Sequence, residues 1–322
     1  MPSGTSRGVL KQKETYFLKL QNADNKGIGE CNVFKGLSAD DVENYEEVLN
    51  DFCHKINNGE KTVWEDYRSF PSIQFGYEQA ILSLKSGNNI LFPSEFTDGK
   101  KGIQINGLIW MGDLDFMKSQ IQEKLKQGFH CIKLKIGTHW NEEKQLLKSL
   151  REEFSADQIE LRVDANGAFN YEEAKVVLQE LADLEIHSIE QPIKARNLVE
   201  MSELCRITPT PIALDEELIG VFEKQDKFNL LQKIQPQYII LKPALIGGFQ
   251  GSTEWIEAAE KLGIGWWVTS ALESNVGLNA IAQWTFTLKN PMPQGLGTGG
   301  LFTNNTESPL EIRGEELWFT GF

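Results

Sequence analysis

From residue 102 onward, short runs rich in Ile, Leu and Val recur along the chain, each with a polar residue at or near its C-terminal end. They begin at Ile103 (IQING), Ile132 (IKLKIG), Ile159 (IELRVD), His187 (HSIEQP), Ile212 (IALDE), Tyr238 (YIILKP), Gly265 (GWWVTS) and Gln294 (QGLGT). Successive spacings are 29, 27, 28, 25, 26, 27 and 29 residues. Between them lie patterns such as Phe116, Ile121 and Leu125, or Val177, Leu178 and Leu181, which place apolar side chains on one helical face. Asn170 followed by Glu173 reads as a capping box, and Gly128 as a helix stop. Strand-like runs alternating with helices at a near-constant period predict an α/β fold, a TIM-type (β/α)8 barrel over residues 102–302. A doubly wound open sheet is the alternative that periodicity leaves open.

Residues 1–101 break this period. Alternation in VLKQKETYFLKL predicts a strand, QNADNKGIGECNVFKG a loop, and helix-like stretches run from Asp40 to Ile56 and from Ser72 to Lys85. This is an α+β capping domain placed before the barrel. The tail 303–322, with Leu310, Ile312, Leu317 and Phe319 spaced among charges, is expected to return and join it.

Composition narrows the function. Over 322 residues, 46 acidic side chains face 32 Lys plus Arg, a formal charge of −14. That balance argues against nucleic acid, whose phosphates are held by clustered cations, and against anionic membrane surfaces. No apolar run approaches the roughly 18 residues of a membrane span, and the first residues lack the apolar stretch of a secretory signal, so the cytoplasm is the expected location. Four cysteines (Cys31, Cys53, Cys131, Cys205) and four histidines lack metal-ligand spacing, which disfavours zinc, disulfides and Ser-His chemistry. Oligomeric state is not legible from the sequence.

Active sites of βα barrels sit where the strands end. Here consecutive strand ends carry Lys133 and Lys135, then Asp164, Glu190, Asp215 and Lys242. A lone Asp at such a place reads as a helix N-cap, but three carboxylates in register form a set of hard oxygen donors suited to Mg²⁺. Lys133 and Lys135, two apart on a strand, share one face. Mutual repulsion predicts that at least one of them titrates below an ordinary lysine.

Together KLKIG at 133–137, VDANGAF at 163–169, EQP at 190–192, ALDE at 213–216, LKPALIGG at 241–248 and SALESNVGLNAIAQ at 270–283 resemble the enolase superfamily. Within it they resemble the K-x-K, muconate-lactonizing-like branch, and most closely its o-succinylbenzoate synthase family. The resemblance implies Asp164, Glu190 and Asp215 as ligands of Mg²⁺, with Mn²⁺ able to substitute; Glu216 could be taken for the third ligand, but the family pattern favours Asp215. It implies Lys135 as acid and base, Lys133 as its electrostatic neighbour and Lys242 on the opposite substrate face. Asn166 would support the metal ligands, Ser270 and Glu273 would meet the substrate's carboxylates or order that wall, and Gly29 would lie in a flap over the site. The implied partner is a small-molecule carboxylate, and the implied reaction a syn dehydration of a cyclohexadiene carboxylate in menaquinone biosynthesis.

Dipeptide epimerases and N-acylamino acid racemases share the lysines and the metal site and are the alternative activities; a non-catalytic Mg²⁺-binding barrel is the alternative of another class. The epimerases carry Asp-x-Asp after the eighth strand, whereas GLGTGGLFTN here has no acidic residue. That stretch matches the dinucleotide fingerprint G-x-G-x-x-G at Gly295, Gly297 and Gly300, but only 22 residues follow Gly300, too few for the rest of such a unit. The glycines are expected to let backbone approach the site, as are Gly247 and Gly248 for a neighbouring carboxylate.

Overall fold

The computed structural model describes residues 3–5, 8–10, 12–60 and 63–321. Strand β1 (Ser3–Thr5) pairs antiparallel with β2 (Gly8–Leu10), and β3 (Tyr16–Gln21) antiparallel with β4 (Lys26–Cys31). β4 lies inside the segment expected to be loop, because Gly27 and Gly29 erase the alternation that would mark it. Helices α1 (Tyr45–Asn57), α2 (Val63–Asp66) and α3 (Pro71–Ser86) follow. α1 starts later than the pattern suggests, since Asp40 is engaged elsewhere: its carboxylate accepts from Ser72 N at 2.9 Å, capping the first turn of α3.

Leu18, Cys31, Tyr45, Phe52, Tyr67, Ile73 and Ala80 form a core of their own. Phe75, on the other side of α3 from Ile73, joins the barrel core and meets the Phe249 ring edge-on at 5.5 Å. α3 therefore serves both cores, which fixes the N-terminal unit on the barrel.

After β5 (Ile103–Gln104), the strands β6 (Gly107–Ile109), β7 (Cys131–Lys135), β8 (Glu160–Asp164), β9 (Ser188–Glu190), β10 (Ile212–Leu214), β11 (Tyr238–Leu241) and β12 (Gly265–Val268) form one parallel sheet in chain order. Its connections are helices α4 (Leu114–Lys126), α5 (Trp140–Glu153), α6 (Tyr171–Asp183), α7 (Leu198–Ile207), α8 (Lys224–Ile234), α9 (Pro243–Ile246), α10 (Gly248–Lys261) and α11 (Asn275–Thr287). Asn170 and Glu173 form the expected capping box on α6.

The eighth strand is reduced to a pair of bridges. Gln294 bridges Ile105 and Gly295 bridges Thr269, both parallel, with Gln294 N donating to Gln104 O and Gly295 N to Val268 O, each at 2.8 Å. These bonds join the two edges of the sheet and close it into a barrel. Ile103, expected to open the first barrel strand, instead belongs to a second sheet, in which β14 (Glu316–Phe319) pairs with β5 and with β13 (Leu310–Arg313). Phe319 also packs on Phe96 at 6.0 Å, so the tail straddles the junction between the two parts of the chain. Among the described residues no helix is long and apolar enough to cross a membrane.

Candidate active site

Register brings the chemistry together. Lys135 pairs with Asp164 across β7 and β8, Asp164 pairs with Glu190 across β8 and β9, and Asp215 immediately follows β10. All are sheltered: Lys133 is 5% exposed, Asp164 2%, Glu190 0% and Asp215 2%. Lys133 Nζ donates to both oxygens of Glu190 at 2.7 Å and lies 3.3 Å from Asp164 Oδ2. Lys135 Nζ donates to Asp164 Oδ2 at 2.9 Å and to Asn166 Oδ1 at 2.7 Å. Lys242, at the end of β11, donates to Asp215 Oδ2. β8, β9 and β10 separate β7 from β11, so Lys135 and Lys242 approach the pocket from different sides.

Asn166 adopts a left-handed backbone, φ 46°, which Asn tolerates better than most residues. The turn lets its N donate to Asp164 Oδ1 at 3.1 Å and its Nδ2 to Glu216 Oε1 at 3.0 Å. Gln191, which sequence reasoning passed over although it stands in the EQP motif, is 1% exposed and accepts from Asp215 N at 3.2 Å through its side chain. It therefore orients the Asp215 turn.

The carboxylates crowd one another. Burial, reinforced by repulsion from Asp164 and Asp215, pushes Glu190 up to about 7 even with Lys133 beside it. Asp164, by contrast, is held well below the usual range: burial opposes its ionisation, but Lys135, Lys133 and Lys242 outweigh burial. Burial would lower Lys133, yet Glu190 and Asp164 overcome it and raise its affinity for a proton. The depression expected from lysine repulsion is thus not found at Lys133, because the carboxylates neutralise the neighbouring charge.

A cavity of about 830 Å³, counting its open mouth, lies over these groups. Its polar lining includes Asn106, Glu216, Thr269, Ser270 and Thr298, and its apolar wall includes Phe34, Leu37, Leu108, Trp110 and Leu272. That mixture suits a small organic substrate held by a few polar groups.

Comparison with known proteins agrees with this architecture. A family model described as "Enolase C-terminal domain-like" matches residues 117–318. The chain is 45% identical to an o-succinylbenzoate synthase of Desulfotalea psychrophila, covering 97% of this chain and 94% of that one. The chain belongs to the enolase superfamily. The crystal structure of MenC from the same bacterium superposes with a TM-score of 0.85 at 42% identity, over 99% of this chain and 97% of that one. A hydrophobic dipeptide epimerase of Enterococcus faecalis is 32% identical, but only over 54% of this chain and 48% of its own.

Enzymes of the superfamily use a divalent metal. Here Asp164, Glu190 and Asp215 stand at successive strand ends, but among the described residues no three His, Cys, Asp or Glu side chains are arranged to hold an ion. Lysine ammonium groups occupy the space between the carboxylates instead. The donor set still fits a hard dication: the side chains are buried, all-oxygen and mutually repulsive, so added positive charge is favoured there.

Two expectations change. Gly29 does not line the cavity; it lies in β4 against α3, where a Cβ would stand 1.8 Å from Gly76 O. From the N-terminal unit the cavity instead receives Phe34 and Leu37, unremarkable apolar residues in sequence. The carboxylate close to Gly247 and Gly248 belongs to the protein: Glu78 accepts from Phe249 N and from Gln250 N, the latter at 2.9 Å, at the start of α10. Ser270 does line the pocket, and Glu273 orders its wall by accepting from Ala271 N at 2.7 Å. Gly295 and Gly297 line it as expected, whereas Gly300 does not.

Proposed function

We infer that this chain is an o-succinylbenzoate synthase, dehydrating 2-succinyl-6-hydroxy-2,4-cyclohexadiene-1-carboxylate to o-succinylbenzoate in menaquinone biosynthesis. The observation that carries the reading is the pocket wall after the seventh and eighth strands. Ser270, Gly295, Gly297 and Thr298 stand there with no acidic side chain among them, so the paired aspartates by which the epimerases hold a cationic dipeptide end are missing from this wall. The synthase relative matches along nearly the whole chain, whereas the epimerase matches about half.

In this reading Asp164, Glu190 and Asp215 hold Mg²⁺, and Mn²⁺ can take its place. A dication held there would supply positive charge beside the substrate carboxylate, which favours loss of the α-proton. Lys135 removes that proton. Asn166 and Asp164, which both accept from its Nζ, fix where the lysine points. The same ammonium then donates to the departing hydroxyl on the same face, so one residue acts first as base and then as acid. Lys133 keeps positive charge beside Asp164 and Glu190 throughout. Lys242, on the other side, stabilises the ring by cation–π attraction worth about 0.5–2 kcal/mol. Leu108, Trp110 and Leu272 exclude water from the apolar part of the substrate, and cytoplasmic location follows from a small-molecule biosynthetic role.

Incubation with the cyclohexadiene tests this directly, followed as loss of diene absorbance. A larger kcat/KM for racemising N-acyl amino acids or epimerising dipeptides, on the same preparation, would assign the other activity to the site.

A further inference from the structure

The loop 270–274 leaves β12, gives Ser270, Ala271 and Leu272 to the cavity, and then enters α11. It is not a relaxed loop. Leu272 sits in the left-handed region at φ 57°, where a branched-chain residue is strained, so the surrounding structure must hold it there.

What holds it comes from the N-terminal unit. Asn32 Nδ2 donates to Ala271 O at 3.0 Å, and Lys13 Nζ donates to Leu272 O at 2.7 Å. Glu30, fully buried, accepts from Ser274 N at 2.9 Å, from Ser274 Oγ at 2.6 Å and from Gly277 N at 3.0 Å. Glu30 thus caps the first turn of α11 across the junction, where a carboxylate is favoured by the helix dipole. Lys13 Nζ lies 3.6 Å from Glu30 Oε1, and Asn32 also donates to Glu273 at 3.1 Å, so the three side chains are tied to one another and to the loop. None of the three lines the cavity.

We propose that Lys13, Glu30 and Asn32 form a clamp through which the N-terminal unit sets the shape of the pocket wall at 271–274, and thereby substrate affinity. They are positioning residues: they touch backbone that touches substrate. Three side chains within twenty residues of sequence satisfy consecutive polar groups of one strained loop whose other side faces the cavity. A merely structural interface would need no such concentration on the segment that lines the site. Only the kinetic part of the claim rests on the synthase reading.

The test uses Lys13→Met and Asn32→Leu, which keep side-chain volume while removing the donors, and Glu30→Gln, which places an amide against the donors of α11. Hydrogen exchange of the peptide spanning 270–278 and steady-state dehydration kinetics are measured on the same preparations. The clamp requires exchange there to accelerate about tenfold or more, KM to rise about tenfold and kcat to stay within about threefold. Restoring a donor with Lys13→Arg should recover part of the KM loss. Unchanged exchange in both Lys13→Met and Asn32→Leu overturns the proposal. So does faster exchange with unchanged KM, or a lowered Tm as the sole effect. Should Glu30→Gln fail to fold, the other two variants decide. Should the wild-type protein not turn over the cyclohexadiene, the function reading fails by itself, and exchange of the loop still decides whether the clamp exists.

Discussion

Replacing Lys135 with alanine removes the ammonium that donates to Asp164 at 2.9 Å and to Asn166 at 2.7 Å. The fold should survive, because Lys133 remains 3.3 Å from Asp164 and keeps that buried carboxylate paired. A positioned general base is worth about 10²–10⁴ in rate, or about 3–5 kcal/mol of barrier. In the proposed reaction Lys135 serves as base and then as acid, which places the expected loss at or beyond the upper end. No neighbour can substitute: Lys133 is committed to both oxygens of Glu190 at 2.7 Å, and Lys242 approaches from β11 on another side of the barrel. Lys135→Arg should be nearly as poor, since a guanidinium does not give up its proton. The assay is diene loss under saturating substrate, with circular dichroism and Tm recorded to show that the variants fold. Retention of more than about a tenth of the wild-type kcat by folded Lys135→Ala would refute the acid and base role.

Three other outcomes are expected. Excess EDTA should abolish dehydration, and Mg²⁺ or Mn²⁺ should restore it; full activity in chelator would exclude the carboxylate trio as a metal site. Gly29→Ala should lower Tm by several degrees, because its Cβ would fall 1.8 Å from Gly76 O and force β4 from α3, an overpacking cost of about 1–3 kcal/mol; an unchanged Tm would show that this contact is looser than described. Burial raises Asp40 to about 6, so between about pH 4 and 6 the folded state keeps a proton that the unfolded chain has lost, and its contribution to stability falls as pH rises through that window. Asp40→Asn should remove this component, so that the difference in unfolding free energy between the proteins changes between pH 4 and 7; parallel pH profiles would contradict it.

The barrel was legible because strands buried on both faces write continuous apolar runs, and seven of the eight runs coincide with ladder strands or adjoin them. The ends of the series were less so. Ile103 and Gly107 lie in one nearly continuous run, and sequence cannot say that the first pairs with a tail more than 200 residues later while the second opens the barrel. At Gln294 only two residues are needed to close the sheet, too short for any pattern. In the site, the lysines and carboxylates were readable from their place at strand ends, since alternation and barrel topology determine where they point. Gly29 was misread because a glycine in a strand looks like a turn, and the cause of its presence, a helix packed against it, appears only in three dimensions. Phe34, Leu37 and Asn106 carry no local signal: they line the pocket because chain segments distant in sequence converge there.

The balance of charge explains why lysines stand between the carboxylates. Lys133, Lys135 and Lys242 face Asp164, Glu190 and Asp215, with Glu216 lining the same cavity. Above the value of about 7 to which Glu190 is raised, four negative groups oppose three positive ones, and a substrate with two carboxylates would approach a pocket of its own sign. In the proposed reaction a dication held by Asp164, Glu190 and Asp215 would reverse that sign and make the pocket attractive to a dianion. It would also take over charge that the lysines now neutralise. In this structure each of the three ammonium groups is spent on a carboxylate, but Asp164 holds two of them, Lys133 at 3.3 Å and Lys135 at 2.9 Å, so Lys135 can turn to the substrate while Lys133 keeps Asp164 paired. In the proposed reaction the K-x-K pair therefore divides the work: Lys133 keeps Asp164 and Glu190 paired while Lys135 acts on the substrate.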